Sequence, residues 1–303
     1  MRHSPFRALL TLTVIATALP AAAQSFDPPS QARGWAHQDR DFSFTFYDPA
    51  SRSLVTWDKS FGVMNTLSLA KLNAVPGMWL MDRYNNAWVI SGDTLYFVTK
   101  DGKVDRKEKL PAPVSDLAWD AQTGFLLCYQ TAAPFLEMRD LKDGGVIWSY
   151  GQKPKKGEAP GPAKFRVVIN TREGGSDSTV FLSEGTSLDL LTLSGKKGTA
   201  LGQAVFTYKD KPLGALTYGD TGPGALCHWI GKETLYAAVP STALPAGAAP
   251  GLNGLLLAKL DLSLSAITLE PTGLTPDNQF IGIVDGQAVF IKPGGGLAFV
   301  PVQ

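Results

Sequence analysis

The chain has 303 residues, of which 44% are hydrophobic and 18% are charged, so it can bury a sizeable core. Its 28 basic residues nearly balance its 27 acidic residues. A charge so close to neutral favours neither nucleic acid nor an anionic membrane surface as the binding partner.

The first 23 residues have the pattern of a secretory signal peptide. Arg2 and Arg7 precede the uncharged run Ala8–Ala22, and small residues up to Ala23 suit a cleavage site. The run is shorter than the ~20 residues of a membrane-spanning helix, which argues against a retained anchor. We therefore expect a periplasmic or secreted protein, cleaved near Ala23, whose remaining chain does not span a membrane.

Residues 24–40 are polar and rich in turn formers, which predicts an extended lead-in to a single domain over residues 41–303. Two strands follow it, Asp41–Asp48 and Ser53–Lys59. This pair is similar to the third and fourth strands of a unit further along the chain, so the domain begins part-way through a repeat.

The most regular unit is Val114–Gln152, which divides into four short strands joined by tight turns. One small antiparallel sheet cannot bury both its faces alone, so it must stack on copies of itself. Similar groups of strands are predicted in four other segments, 76–111, 165–208, 225–271 and 280–303.

These repeats predict an all-β fold, a β-propeller. About 45 residues per repeat gives roughly six blades, and five or seven also fit the length. The last unit lacks one or two strands, so we expect N-terminal strands to complete it and close the ring. A β-sandwich and an irregular β-solenoid stay open as alternatives.

A family resemblance supports the propeller. Residues 118–128 (AWDAQTGFLLC) and 136–151 (LEMRDLKDGGVIWSYG) resemble repeats of PQQ-like bacterial propellers, in which an Asp-x-x-Thr-Gly or Asp-x-x-Asp-Gly turn joins two strands and a Trp follows closely. The resemblance covers residues 114–152, with echoes at 48–57 and 97–102. It implies a propeller of the kind in which many members bind no quinone and act as scaffolds, and it implies no enzyme activity.

The two cysteines are Cys128 and Cys227. An oxidising compartment would permit a disulfide between them, but the repeats place them two units apart, which favours two buried thiols. No Cys-x-x-Cys pair is present, so the spacing gives no sign of a paired-cysteine zinc site or of covalent haem.

Three long irregular stretches, 152–164, 209–223 and 240–253, are predicted to share one face of the propeller. Such insertions often mark a binding face, which predicts another envelope or secreted protein as the partner of a monomeric scaffold. The candidate binding residues are Lys153, Lys155, Lys156, Glu158, Tyr218 and Asp220. The alternatives to a binding face are that the lysines are simply solvated and that the loops have no binding role.

The sequence favours no catalytic site. After the signal peptide only His37 and His228 remain, and no nucleophile elbow or phosphate-binding loop occurs. No cofactor is expected, with Ca²⁺ as the exception to consider. The channel candidates are Asp82, Asp116, Asp120 and Asp285, with Asp220 at a comparable strand end. Carboxylates meeting in a propeller channel would bind Ca²⁺ and make the protein a calcium-dependent hydrolase or lyase, whereas turn-forming Asp residues explain the same placement more simply.

Recurring aromatic residues give a third alternative, a carbohydrate-binding propeller. The residues concerned are Trp79, Tyr84, Trp88, Trp119 and Trp148. Large aromatic side chains at one place per repeat are more typical of packing between blades. The favoured function is therefore a non-enzymatic interaction scaffold.

Overall fold

The computed structural model describes residues 44–58, 62–82, 84–120, 124–129, 136–151, 165–169, 178–182, 189–193, 197–205, 207–209, 211–212, 227–230, 234–244, 247, 249–261, 263–264 and 266–302. They contain 24 β-strands and a single 3-10 helix, Ser241–Ala243. No helix in these ranges is long and apolar enough to cross a membrane. The predicted signal peptide and lead-in lie outside them.

The described strands form six small sheets, of which the first three cover the N-terminal half. The first contains β1 (Phe44–Asp48), β2 (Ser53–Trp57) and β3 (Val63–Ser68). The second contains β4 (Met78–Met81), β5 (Ala87–Ser91), β6 (Thr94–Val98) and β7 (Val104–Lys109). The third contains β8 (Val114–Asp120), β9 (Gly124–Tyr129), β10 (Leu136–Asp140) and β11 (Val146–Tyr150).

The other three sheets continue the pattern. The fourth contains β12 (Phe165–Ile169), β13 (Ser178–Leu182), β14 (Asp189–Leu193) and β15 (Ala200–Val205). A hairpin of β16 (Thr207–Tyr208) and β17 (Lys211–Pro212) precedes β18 (Cys227–Ile230), β19 (Thr234–Pro240), β20 (Leu255–Asp261) and β21 (Ala266–Pro271), and β16 joins this fifth sheet in parallel with β21. The sixth contains β22 (Gln279–Val284), β23 (Gln287–Ile291) and β24 (Leu297–Pro301).

The prediction of repeated small antiparallel sheets is confirmed, with one difference at the N-terminus. β1 and β2 do not join the sixth sheet; they form a sheet of their own with β3. The connection between β2 and β3 is closed by Asp58, whose N–H donates to the Gly62 carbonyl at 2.9 Å and whose carboxylate accepts from the Gly62 N–H. This turn directs the chain back along β2.

Neighbouring sheets meet through their first strands. β4 contacts β8, β8 contacts β12, and β18 contacts β22. The last strand of the second sheet, β7, is exposed over most of its length and carries the charged sequence VDRKEK. The second strands β5, β9 and β23 are buried over nearly all their length, as the continuous apolar sequence of β9 predicts, because neighbouring sheets cover both their faces.

Glycines in the turns make room for tryptophans of the preceding sheet. Trp88 of β5 packs against Phe125 of β9 with ring centroids 4.9 Å apart, and its indole N–H donates to the Leu141 carbonyl at 3.2 Å. At Gly144, where φ is +68°, a Cβ would lie 2.5 Å from the Trp88 ring. Gly198 has the same relation to Trp148, with 2.3 Å to the ring. Tight contact between sheets therefore depends on glycine at these turns.

Side chains of the first sheet lie in two apolar clusters, one on each of its faces. Leu54 lies in an apolar cluster with Trp79 and Val89 of the second sheet. Phe46 is buried in another cluster with Phe290 and other residues of the fifth and sixth sheets. Alternate residues of β1 and β2 therefore cover two different neighbours, as the two-residue period of a strand requires.

Replacing Gly144 by Ala tests the glycine–tryptophan contact. We expect Gly144→Ala to lower the free energy of unfolding by about 1–3 kcal/mol more than Gly92→Ala, because only the first places a methyl group against a packed ring. Gly92 also has a positive φ, of 59°, but a Cβ at that position would have nothing within 4 Å, so Gly92 controls for backbone strain. Urea denaturation measures both changes, and equal losses would contradict the proposed contact.

Candidate functional site

Connections between strands alternate between the two ends of each antiparallel sheet. We call one end the turn end, which carries β4–β5, β6–β7, β8–β9 and β10–β11, and the other the loop end, which carries β5–β6 and β7–β8. The sheets of a propeller-like fold run in one direction, which puts β20–β21 and β22–β23 at the turn end and β19–β20, β21–β22 and β23–β24 at the loop end. The second and third sheets have the same direction, because Trp88 near the start of β5 bonds to Leu141 in the β10–β11 turn.

The long stretches predicted to share a face attach to the loop end. Chain order shows that residues 152–164 join β11 to β12 and residues 241–254 join β19 to β20. The stretch predicted at 209–223 is partly strand, because it includes β17 of the short hairpin. Residues 213–226 then lead to β18. The six candidate binding residues, Lys153, Lys155, Lys156, Glu158, Tyr218 and Asp220, lie outside the described residues, so their placement stays a prediction.

Backbone hydrogen bonds hold the two ends of the β19–β20 connection together. The Ser241 N–H donates to the Gly254 carbonyl at 2.8 Å, and the Leu255 N–H donates to the Leu274 carbonyl at 2.9 Å. Gly254 has φ +77°, and a Cβ there would lie 2.7 Å from the Leu274 oxygen. The connection is therefore bonded both to itself and to the β21–β22 connection.

The polar groups of the β21–β22 connection bond to one another and to the start of β20. The Thr272 hydroxyl donates to the Leu255 carbonyl at 2.6 Å. Asn278 is buried, and its side-chain amide donates to the carbonyl and the hydroxyl of Thr275 at 3.0 and 2.9 Å. The Thr275 hydroxyl also bonds to the Asp277 carboxylate. These bonds give the loop end a fixed backbone frame in this region.

The predicted channel carboxylates separate into two positions. Asp82, Asp120 and Asp285 each stand at the end of a first strand or directly after it, at the turn end. Asp116 lies four residues before Asp120 on β8, nearer the loop end. The side chains of Asp116 and Asp120 are outside the described part of the structure, and Asp285 is exposed with φ +49°.

The Asp82 carboxylate shapes a turn. One oxygen accepts the backbone N–H groups of Tyr84 and Asn86 at 2.7 and 2.9 Å, and the other accepts the Asn86 side-chain amide at 2.8 Å. Asp82 is only 7% exposed. Its geometry supports the turn-forming alternative rather than a calcium ligand, because its oxygens are already bonded to the turn.

Other turns use Asp in the same way. Asp48 accepts the Ala50 N–H at 2.9 Å, and Asp261 accepts the Ser263 N–H at 2.9 Å. The Ser51 hydroxyl lowers the pKa of the Asp48 carboxyl, and the Ser263 hydroxyl lowers that of Asp261, because each hydrogen bond favours the charged form. Asp residues at these turns therefore have a local structural role.

No group of three or more His, Cys, Asp or Glu side chains suited to a metal ion occurs among the described residues.

The aromatic residues mostly pack between sheets. Trp79, Trp88 and Trp148 are 2%, 2% and 6% exposed, which matches inter-sheet packing better than sugar stacking. Tyr84 is 61% exposed at the turn end, and the Trp119 side chain lies outside the described part. Cys128 is a buried thiol that forms no disulfide.

A buried charged network, which the sequence reasoning missed, joins the second and third sheets. Glu137 of β10 accepts the Tyr129 hydroxyl at 2.6 Å and Arg139 Nη2 at 2.8 Å. Arg139 Nη1 donates to Glu108 of β7 at 2.9 Å and to the Gly144 carbonyl at 3.0 Å. Glu137 and Arg139 lie two residues apart and so on one face of β10. This two-residue spacing of opposite charges was the sequence feature from which the network could have been predicted.

Burial governs the ionisation of this network. Burial raises the pKa of the Tyr129 phenol, and the hydrogen bond and charge of Glu137 raise it further. Burial opposes the charge of Arg139, but its bond to Glu108 and the nearby Tyr129 and Glu137 raise its pKa overall. Tyr129 therefore stays neutral and Arg139 stays charged over the ordinary pH range, which suits a structural link between sheets.

Comparisons with known proteins identify the fold. No family model and no curated protein matches the chain. Virginiamycin B lyase from Staphylococcus aureus is 11% identical over 88% of this chain and 79% of its own, with a TM-score of 0.52. The Pan2 WD40 domain of Neurospora crassa is 8% identical over 88% of this chain and 73% of its own, with a TM-score of 0.48. At such identity the similarity shows a β-propeller-like fold alone.

The raised pKa of Tyr129 predicts a loss of stability in alkali. The phenol ionises in the unfolded chain near its ordinary pKa of 10.0 but not in the folded protein, so stability falls as the pH rises above about 10. We expect the free energy of unfolding to fall less steeply with pH in Tyr129→Phe. Tyr84→Phe changes an exposed tyrosine and should keep the wild-type slope. Denaturant titrations from about pH 8 to about pH 11 measure this, and equal slopes for all three proteins would contradict it.

Proposed function

We propose that the protein is an exported β-propeller that binds another envelope or secreted protein through its loop end. The observation that carries the proposal is the attachment of the long connections 152–164, 213–226 and 241–254 to strands that end or begin at this end. Insertions on one face of a repeat fold often form its binding face.

Two features of the described residues favour the loop end over the turn end. The turn end has short connections, several of which are shaped by Asp carboxylates such as Asp82. The loop end has a bonded backbone frame at Gly254 and Leu274 that can position longer connections. Both ends expose apolar side chains, for example Val75 at the loop end and Leu264 at the turn end. Apolar exposure alone therefore does not choose between them, and the long connections do.

The calcium-dependent hydrolase or lyase is the rival function. One structural neighbour is a lyase, but 11% identity gives no reason to transfer its activity. The bonded state of Asp82 also counts against a carboxylate site built on that residue.

For the fold we propose six blades in a closed ring. The packing of the first sheet against both the second and the sixth supports closure. The sixth sheet has three described strands, and its last strand, β24, runs from the loop end to the turn end. A fourth strand antiparallel to β24 would finish at the loop end. β1 begins there, because Thr45 near its start accepts a bond from Trp79 near the start of β4. Residues 24–43 would supply that strand.

Replacement of the first long connection tests the function. We expect the mature chain to recover a specific protein from its own envelope fraction, and expect a short Gly-Ser turn in place of residues 152–164 to abolish that recovery. The matched control changes two exposed apolar residues at the turn end, Tyr84→Ser with Leu264→Ser, and should keep the partner. Circular dichroism checks that all three proteins are folded.

Two outcomes would count against the scaffold. Undiminished recovery by the Gly-Ser variant would refute binding through this connection. A rise in the thermal midpoint with calcium, lost in Asp116→Asn or Asp120→Asn, would instead favour the rival enzyme.

Hydrogen exchange tests ring closure. In a closed ring the β24 amides that do not pair with β23 are bonded to a fourth strand and exchange slowly. We expect a chain starting at residue 44 to lose this protection at β24, while the amides of β7, at the edge of another sheet, exchange as before. The same fast exchange at β24 in both chains would contradict closure by residues 24–43.

A further inference from the structure

Asn253 and Gly254 form the one Asn-Gly pair in the 303 residues, and they lie where the β19–β20 connection enters β20. A backbone nitrogen can attack the side-chain carbonyl of the asparagine that precedes it. Glycine allows this approach best, because it has no Cβ to obstruct the attack and its backbone is permissive. The pair therefore combines an electrophilic amide with an unhindered nucleophile.

The structure leaves both reacting groups accessible. Asn253 is exposed, and among the described residues no hydrogen bond holds its side-chain amide or the Gly254 N–H. The first backbone groups after this peptide that form hydrogen bonds are the Gly254 carbonyl and the Leu255 N–H. The Asn253–Gly254 peptide group can therefore turn towards the side chain without first breaking a backbone bond.

We propose that Asn253 is a site of spontaneous deamidation at the loop end. The Gly254 nitrogen forms a bond to Cγ of Asn253 and loses its proton, and the side-chain amide leaves as ammonia, giving a five-membered succinimide. Water then opens one of the two imide C–N bonds. Opening at the side-chain carbonyl gives aspartate, and opening at the backbone carbonyl gives isoaspartate. Water is the sole co-reactant, and no oxidation or reduction occurs.

Other asparagines of the chain lack one of these conditions. Asn73 is exposed, but the next residue is Ala74, whose Cβ hinders the attack. Asn278 is buried and its amide donates to Thr275. Asn86 donates its amide to Asp82. The deamidation rates of these three residues can therefore be compared with that of Asn253 in the same protein.

Conversion would change the loop end chemically. Either product places a negative charge beside the base of the β19–β20 connection. Isoaspartate also lengthens the backbone by one methylene next to the bond between Ser241 and Gly254, which fixes that base. Deamidation itself does not depend on the proposed partner, so the two proposals can fail separately.

The test is ageing of the folded mature protein at mildly alkaline pH and 37 °C, followed by peptide mass spectrometry. We expect Asn253 to convert roughly tenfold faster than Asn73, and Asn278 to convert most slowly. Both aspartate and isoaspartate should appear at position 253, and ammonia should be released in equal amount. The variant Asn253→Gln should remove the fastest conversion while keeping the wild-type circular dichroism spectrum.

Two results would overturn the proposal. One is conversion of Asn253 no faster than that of Asn73 in the folded protein. The other is aspartate without isoaspartate, because direct hydrolysis of the amide gives that product and needs no attack by Gly254. Repeating the measurement in urea separates the effect of sequence from that of structure. The conversion rate of Asn278 should then approach that of Asn73. A rate that stays low in urea would show that burial is not what protects Asn278.

Discussion

The structure depends on close contact between neighbouring sheets, and this contact is possible where a turn glycine faces an indole ring. A four-stranded sheet alone has two apolar faces and is unstable in water. At Gly144 and Gly198 the absence of a Cβ lets the next sheet approach a tryptophan that would otherwise hold it away. The third sheet takes part in both contacts, because its Gly144 receives the Trp88 ring of the second sheet and its Trp148 packs on Gly198 of the fourth.

The buried network at Arg139 reinforces the same interface by a different force. Apolar packing has little directional preference, whereas the bond of Arg139 to Glu108 of β7 joins the two sheets in a defined geometry. The bond of Arg139 to Glu137 lies within β10 and holds the guanidinium in place for that contact. Arg139 also bonds to the carbonyl of Gly144, the residue on which Trp88 packs. The Trp88 packing contact and a hydrogen bond of Arg139 therefore both involve Gly144, so a substitution in this turn affects both.

The third sheet was predictable strand by strand, because Asp and Gly residues mark its turns and β9 is continuously apolar. β3 was not predicted. Its side chains are mostly exposed, so it shows no apolar alternation, and its partner is set by the turn at Asp58. The Glu137–Arg139 network was missed because charged residues in a strand normally face solvent. The predicted binding residues lie outside the described part of the chain, so their placement stays a prediction.

The hairpin of β16 and β17 has a consequence for folding. It follows the fourth sheet in the chain but pairs with β21, the outermost strand of the fifth. In a row of sheets whose strands pair only within their own sheet, the sheets can unfold one at a time. Here the outer edge of the fifth sheet is covered by a segment that precedes it, and the residues of that pair are more than fifty positions apart. Adding this edge to the fifth sheet must then wait for a long loop to close, so the β16–β21 pairing is expected to form late in folding.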